Sequence, residues 1–563
     1  MLTKWGETLD KTNVLPEYPR PQMRRNSFIN LNGLWDYAIT PAGEKQPTKW
    51  DGKILVPFSP ECELSGVGRV LKPDEYLWYR RDWEKPADMS GRVILHFGAV
   101  DQSCTVYING MRAYRHNGGY LPFEFDATGF LSKDVNELSL SVRDVSDTSY
   151  HARGKQKTKH GGIWYTPQSG IWQTVWAECI PKDCVKSLRI TPDFDNACVR
   201  INADVVGDSR AYVLFNGGQY QVPATVPVPD FEPWTPENPK LYDFAVVCGQ
   251  DRVESYFAMR KFSVEADPKG VKRLHLNGKP YFHNGLLDQG YWSDGMYTAP
   301  SDEALIFDIQ TAKDMGFNML RKHIKIEPLR WYYHCDRLGM LVWQDMINGG
   351  GEYNPALITA PLFTGIHLSD KNHKLFARDD LEGRVEYERE LNEMISLLYN
   401  CPCIAMWVPF NEGWGQFDAA RIAEKIADAD PTRTIDHASG WHDQKIGQTK
   451  SLHVYFKKYD FKPDKLGRAV MLTEFGGYNF RCKGHSQDSA EFGYKKLKSE
   501  KDLQKALEKL YSDEIRPAYE KGLCAAVYTQ LSDVEGEVNG LITYDRKVVK
   551  LPPETMRKIV KVE

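Results

Sequence analysis

The chain has 563 residues, of which 42% are hydrophobic, 26% charged and 12% aromatic, with a formal net charge of −4. That length is too great for one hydrophobic core and predicts about two to four domains. Basic and acidic residues are interspersed without a basic stripe, which argues against nucleic acid as a partner, and no apolar run approaches the ~18 residues of a membrane span.

The opening, "MLTKWGETLDKTNVLPEYPRP", lacks the apolar core of a secretory signal, so a cytoplasmic protein is expected, which Met1 in first place favours over a secreted or periplasmic one whose signal has been removed. The 11 cysteines are scattered, as suits reduced thiols rather than a disulfide framework. Cys401-Pro-Cys403 reads as two small buried residues entering a strand. No C-x-x-C, H-E-x-x-H, P-loop or G-x-G-x-x-G occurs, so neither a metal nor a cofactor is expected.

Residues 1–182 read mostly as short strands with turn punctuation. "GRVILHFGAVDQSCTVYINGMRAY" alternates apolar and polar residues, breaks at Gly98, alternates again and turns at Asn109-Gly110. A jelly-roll β-sandwich is expected. Residues 183–264 repeat the style around the Pro-rich join "PATVPVPDFEPWTPENPK", which cannot be helical, and fit an immunoglobulin-like sandwich.

After about residue 265 the period changes. Eight strand candidates follow: "PYFHNGLLDQ", "NMLRKHI", "LVWQDM", "IAMWVPFNEG", "TIDHASG", "LHVYF", "AVMLTEFGG" and "CAAVYTQLSD". Most are followed by helical stretches such as "PSDEALIFDIQTAKDMG", which has a Ser-x-Glu start and Gly316 as its stop. Eight strand–helix units predict a closed (β/α)8 barrel over 265–563. The crossovers after the fifth and sixth strands are short and weakly helical, and 347–379 reads as an irregular loop on the rim.

Functional groups of such a barrel sit at the C-terminal strand ends. Reading those ends gives Asp288 and Gln289; Arg321 and His323; Asp345; Asn411 and Glu412; Asp436 and His437; His453 and Tyr455; Glu474; and Tyr528 with Gln530. Glu412 and Glu474 close apolar strands on opposite sides of the barrel. Cleaving a glycosidic bond needs two such carboxyl groups, one protonating the departing oxygen and one supporting or attacking the anomeric carbon. Phe475-Gly476-Gly477 let a ring approach Glu474, and Tyr455 is placed to keep Glu474 ionised. Trp407, Phe410 and Trp414 surround Glu412 and should raise its pKa, as a proton donor requires. Asn411 is the natural donor to a sugar hydroxyl, and Asp288 and Asp345 are charges that need a reason at the ends of apolar strands. His323, His437 and His453 are divided between substrate contact and packing. Trp331, Tyr332 and Tyr333 read as outer-shell core, while His160-Gly161-Gly162 and the aromatics around Trp164 could reach the barrel from the first domain.

These stretches resemble family 2 glycoside hydrolases, the group of β-galactosidases, β-glucuronidases and β-mannosidases. "PRPQMRRNSFINLNGLWDYAI" and "GIWYTPQSGIWQTVWAE" look like its first sandwich, and "NMLRKHIKIEPLRWYYHCDRLGMLVWQDM", "VPFNEGWG" and "LTEFGGY" like its barrel. The resemblance implies Glu412 as acid/base, Glu474 as nucleophile, retention of configuration, and a glycoside or oligosaccharide substrate; the metal ligands of the family's larger β-galactosidases find no match here. Family members often form homo-oligomers; this sequence picks no particular state. The Asn-x-Lys element of the family's β-glucuronidases is missing before "GLITYDR", so an acidic substrate is less expected there, with Arg321, Lys322 or Arg481 as the remaining cations. The usual Trp of the eighth strand is replaced by Tyr528 and Gln530, which leaves Trp414 or Trp441 as sugar platform. A β-galactosidase-like exo-glycosidase is expected, with another sugar specificity (glucuronide, mannoside or arabinoside) or a non-catalytic carbohydrate-binding protein as alternatives.

Overall fold

Alternation becomes a sandwich in the first part of the chain. In Ser103–Ile108 every second side chain is buried, as a strand covering a core on one face requires. The computed structural model describes residues 1–84, 91–487 and 491–562. Among them, a six-stranded antiparallel sheet runs Gly52–Val56, Gly33–Pro41, Glu75–Glu84, Val135–Arg143, Ser103–Ile108, Met111–Asn117. It shares one core with a four-stranded sheet of Phe28–Asn30, Val175–Ile180, Arg92–Phe97 and Phe123–Asp126, filled by Trp35, Leu77, Leu95, Val106 and Leu140.

A second sandwich pairs Cys184–Asp193, Cys198–Val206 and Ala224–Pro227 with a sheet built on Ala211–Phe215, Tyr242–Cys248 and Asp251–Phe257. It has its own core around Val199, Val213, Val246 and Phe257. The hairpin Phe262–Ala266 and Lys272–Leu276 comes next, and its Phe262, Val264, Leu274 and Leu276 belong to the barrel's core instead. Arg273 donates to the carbonyls of Tyr519 and Leu523, just before the last barrel strand, so the hairpin covers the N-terminal end of the barrel.

The barrel strands are β1 His283–Asp288, β2 Met319–Lys322, β3 Leu341–Asp345, β4 Ile404–Val408, β5 Thr434–Ile435, β6 Thr449–Val454, β7 Ala469–Gly476 and β8 Ala525–Thr529. They pair in parallel in the spatial order β5-β4-β3-β2-β1-β8-β7-β6. Strands β1, β3, β4, β7 and β8 are buried at every position, as expected where helices cover the outside and side chains fill the inside. The ring is nearly closed. Among the described residues no ladder joins β5 to β6, and side chains bridge the seam: Thr449 Oγ1 donates to Ile435 O at 2.8 Å, and Ser451 Oγ to Asp436 Oδ1 at 2.8 Å and Ala438 O at 3.0 Å. This is the region where the sequence is weakly helical, and no helix spans either 436–448 or 455–468.

The helix after β1, Asp302–Asp314, starts where Ser301 accepts from Ala304 N and ends before Gly316, as its sequence predicts. Trp331 and Tyr332 lie buried on Leu329–Leu338, in the outer shell. The segment 347–379 differs from the expected irregular loop, because it contains a helix, Pro355–Thr364. Asn354 caps it by accepting from Ala356 N, Pro355 begins it and left-handed Gly365 ends it. No helix among the described residues is long and apolar enough to cross a membrane.

Candidate active site

The ends of β4, β6 and β7 deliver the central groups. Past the end of β4 the chain continues through Pro409 and Phe410 to Asn411, which bridges to Ser439 beyond β5. Glu412 N then donates to Ser439 O at 3.0 Å, and Trp441 Nε1 to Glu412 O at 3.0 Å. These bonds hold Glu412 in the left-handed region at φ 51, a conformation that a non-glycine residue keeps only when its surroundings impose it. On the opposite side, β7 presents Glu474.

The two carboxylates meet. One oxygen of Glu412, one of Glu474 and a ring nitrogen of His453 all lie within 4.8 Å of one another. His453 Nδ1 is 2.8 Å from Glu412 Oε1 and 3.5 Å from Glu474 Oε2, while its Nε2 is 3.2 Å from Ser439 Oγ. Such a group has the spacing of a metal-ligand set. However, Arg321 Nη1 already stands 3.1 Å from Glu474 Oε1, and a fixed guanidinium there competes with any cation.

The surroundings push the two carboxyls apart. Burial raises the pKa of Glu412 above 4.5 and the neighbouring Glu474 adds to this, against the pull of His453 and Lys155. Burial also works to raise Glu474, but His453 and Arg321 together with the Tyr455 hydroxyl hold it below 4.5. Tyr455 donates to Glu474 Oε2, stands 3.0 Å from Thr529 Oγ1 and is stacked on Tyr494 with ring centroids 3.7 Å apart. The glycines after Glu474 serve the protein's own rings. A Cβ on Gly476 would come 2.3 Å from Tyr528, and one on Gly477 would come 2.3 Å from Tyr494.

Several strand-end residues expected to meet substrate are instead held by the protein. Arg321 is fully buried and spans Asp345 Oδ1 (3.0 Å), Glu474 and Asn411 Oδ1 (2.8 Å), so it orients side chains and reads no ligand. Asp345 also takes His323 Nδ1 at 2.8 Å. Asp288 lies in a closed network, 2.7 Å from Lys322 Nζ and accepting from Gly290 N, and Lys322 also pairs with Glu327. Both ends of the Gln530 amide are taken, by Gln289 at 2.9 Å and Asn539 at 2.8 Å. His437 Nε2 is 3.0 Å from Asp443 Oδ1. Arg321, Asp288 and Gln530 are strand-end groups whose polar atoms the protein itself takes up, whereas His437 Nδ1 is buried without a partner among the described residues.

Other groups remain available. Asn411 Nδ2 is buried and has no partner among the described residues, and the same holds for Trp414 Nε1. Trp414 lies 5.3 Å from the ring of Trp164 and 6.0 Å from that of His323. Trp441 packs edge-on to His453 at 5.3 Å. Burial, with Lys155 and Arg321 beside it, holds His323 well below the usual histidine range, so its ring is neutral.

Sequence reasoning missed two of the neighbours. Tyr494 comes from the loop after β7, where "EFGYKK" offers no signal beyond its place past a strand end. Lys155 belongs to the first sandwich, in a stretch, "RGKQKTKHGG", that reads as a solvated basic loop. Of the first-domain residues expected to reach across, Trp164 and Tyr165 do so, Tyr165 donating to Glu537 beyond β8, while His160 is exposed.

The fold and this site together define a multidomain barrel protein with a paired-carboxylate centre at its C-terminal face and an accessory sandwich reaching onto the rim. Residues 69–176 match the family model "Glycosyl hydrolases family 2, sugar binding domain", and 269–516 match "Glycosyl hydrolases family 2, TIM barrel domain". The chain belongs to glycoside hydrolase family 2. A β-galactosidase of Thermoanaerobacter pseudethanolicus is 24% identical over 501 residues, 81% of this chain but only 62% of that protein's length. Among solved structures, a β-D-glucuronidase of Dictyoglomus thermophilum is similar with a TM-score of 0.75 at 17% identity, covering 96% of this chain and 98% of that one. A β-galacturonidase of Eisenbergiella tayi bound to galacturonate is similar with a TM-score of 0.71 at 18% identity, covering 96% and 99%.

Proposed function

We propose that the protein is a retaining exo-glycosidase that removes terminal β-linked sugars through a covalent glycosyl-enzyme. The observation that carries this reading is the Glu412–Glu474 pair, with oxygens within 4.8 Å and pKa values displaced in opposite directions. An inverting pair keeps its carboxyls ~6.5–9.5 Å apart to admit a water, whereas a retaining pair stands at ~5–5.5 Å. Protonated Glu412 delivers its proton to the glycosidic oxygen as Glu474 attacks the anomeric carbon from the other face. Glu412, now ionised, then takes a proton from the water that releases the sugar.

The neighbours divide the supporting work. Arg321 and Tyr455 keep Glu474 ionised and aimed. Asn411 Nδ2 is free to donate to the hydroxyl beside the anomeric carbon, a contact that tightens in the transition state. Neutral His323 gives Nδ1–H to Asp345, which leaves Nε2 to accept from a sugar hydroxyl. Trp414 and Trp441 offer apolar ring faces or edges. The side chains of Glu412 and Glu474 are only 13% and 6% exposed, which suits a terminal sugar in a pocket better than a chain lying along an open cleft.

The similar proteins are named for galactose, glucuronic acid and galacturonic acid, so they support the class and leave the sugar to the site. The test is turnover of a panel of 4-nitrophenyl β-glycosides in aqueous methanol, followed by NMR. A methyl glycoside of unchanged anomeric configuration is expected; an inverted product refutes the covalent route, and no hydrolysis of any sugar at any pH refutes the enzyme.

A further inference from the structure

Buried lysines in this chain come in two kinds. Lys322, Lys325 and Lys550 each lie 2.7–2.8 Å from a carboxylate oxygen, the usual condition for an ammonium removed from water. Lys155 is 5% exposed, yet among the described residues its Nζ makes no ion pair and no hydrogen bond. Its Nζ faces two rings, Tyr165 at 5.5 Å and Trp414 at 5.9 Å from the ring centroid. Cation–π contact at that range compensates only part of the desolvation.

The place of this ammonium is fixed by its backbone. Arg153 N and Gly154 N both donate to Asn348 O, at 2.9 and 3.2 Å, and Arg153 also donates to the carbonyls of Gly350 and Gly351. Tyr165 N donates to Lys155 O at 2.9 Å. The sandwich loop is thus tied to the segment after β3, with Lys155 directed toward Trp414, which stands against His323. The Trp414 ring, 5.9 Å from Nζ, is itself 6.0 Å from the ring of His323, which places the charge beside the pocket.

A rigidly mounted ammonium next to a sugar pocket, on a residue only 5% exposed and without an ion-pair contact among the described residues, keeps its donors for an anion that arrives with the ligand. Because Glu412, Glu474 and Glu537 already crowd this end of the barrel, an acidic sugar would be repelled unless a cation met it. We propose that Lys155 receives the carboxylate of a β-linked hexuronide bound between Glu412 and Glu474, so that a residue of the first sandwich sets the substrate class of the barrel. A charge-assisted hydrogen bond formed only on binding gives both affinity and selection, since a neutral hexoside leaves the ammonium unpaired. This inference rests on the reading of Glu412 and Glu474 as a glycosidase pair.

The test compares 4-nitrophenyl β-D-glucuronide and β-D-galacturonide with the matching glucoside and galactoside, on the wild type, Lys155→Met and Lys155→Arg, with thermal unfolding as the control for folding. At least one uronide should exceed its neutral counterpart about 100-fold in kcat/KM. Lys155→Met should collapse that ratio, and Lys155→Arg should keep most of it. A wild type that prefers neutral hexosides, or a Lys155→Met variant that lowers both substrates alike, overturns the proposal. The glycosidase reading fails separately, if no glycoside is cleaved. Calorimetric titration of the Glu474→Gln variant with the glucuronide and the glucoside then decides the lysine alone. Preferential binding of the glucuronide that vanishes in Glu474→Gln/Lys155→Met supports it, and equal or absent binding of the two overturns it.

Discussion

The rim of the barrel has two differently built halves. At the ends of β1 and β2, Asp288, Lys322, Lys325 and Glu327 form a buried network in which each charge meets an opposite one. Across the barrel, at β4, β6 and β7, Glu412 and Glu474 share His453, Asn411 keeps an unused donor, and Lys155 approaches the site without a contact ion pair among the described residues. Both halves hold ionisable residues at the tips of apolar strands, and both are buried. They differ in balance: a neutralised network stabilises one arrangement, whereas an unbalanced one has something left to offer a ligand. Perturbed charge alone therefore does not mark a site; charge with unfinished hydrogen bonding does.

Removing the carboxylate at β7 should break the contrast most severely. Glu474→Ala is expected to lower kcat by about 10⁴-fold or more, with azide restoring turnover of an activated substrate and yielding a glycosyl azide of inverted configuration. Steady-state kinetics with product NMR checks this. For Glu412→Ala the loss should depend on the leaving group, about 10²–10⁴-fold on a poor one and far less on dinitrophenolate, whose departure needs no proton. Equal losses on both would remove Glu412 from the acid role.

A smaller effect is expected where one hydrogen bond is deleted. The wild-type pH profile of kcat/KM should be bell-shaped, since Glu474 must be ionised and Glu412 protonated. Glu474 sits below 4.5 and Glu412 above it, so an optimum lies between the two limbs. Tyr455→Phe removes a donor that favours the ionised form of Glu474. Its pKa should rise, the acid limb should move to higher pH, and activity should fall about 10–100-fold. The mildest effect on turnover belongs to the balanced half. Lys322→Met leaves Asp288 and Glu327 short of a cation, so thermal or denaturant unfolding should show a loss of about 3–5 kcal/mol. The folded fraction should keep its kcat/KM within about an order of magnitude; a collapse of activity at full stability would erase the distinction between the halves.

Much of this molecule was legible in its residues. Alternation in "SCTVYI" and unbroken apolar runs such as "IAMWV" and "AVMLT" mark half-buried and fully buried strands, because side-chain period and burial are properties of a few neighbouring residues. The carboxylates at 412 and 474 were legible for the same reason, as charges at the ends of apolar runs. The functions of individual strand ends were harder to read. Arg321, Asp288 and Gln530 look like ligand contacts in one dimension, yet their partners come from 24, 34 and 241 positions away and consume their hydrogen bonds. The helix Pro355–Thr364 was missed because its apolar residues show little periodicity, although its Asn-Pro start and Gly stop were present.

The amino-acid order by itself determined the strand and helix segments, the apolar strands and the two acidic positions, since these depend on local propensity and burial pattern. Only the tertiary structure decided which charges cancel and which stay open, because that depends on contacts between residues far apart in the chain. The closing of the barrel brings two carboxylates within 4.8 Å, and the docking of a sandwich loop carries Lys155 beside them. Electrostatic balance is a sum over neighbours in space, and those neighbours exist only once the chain has folded.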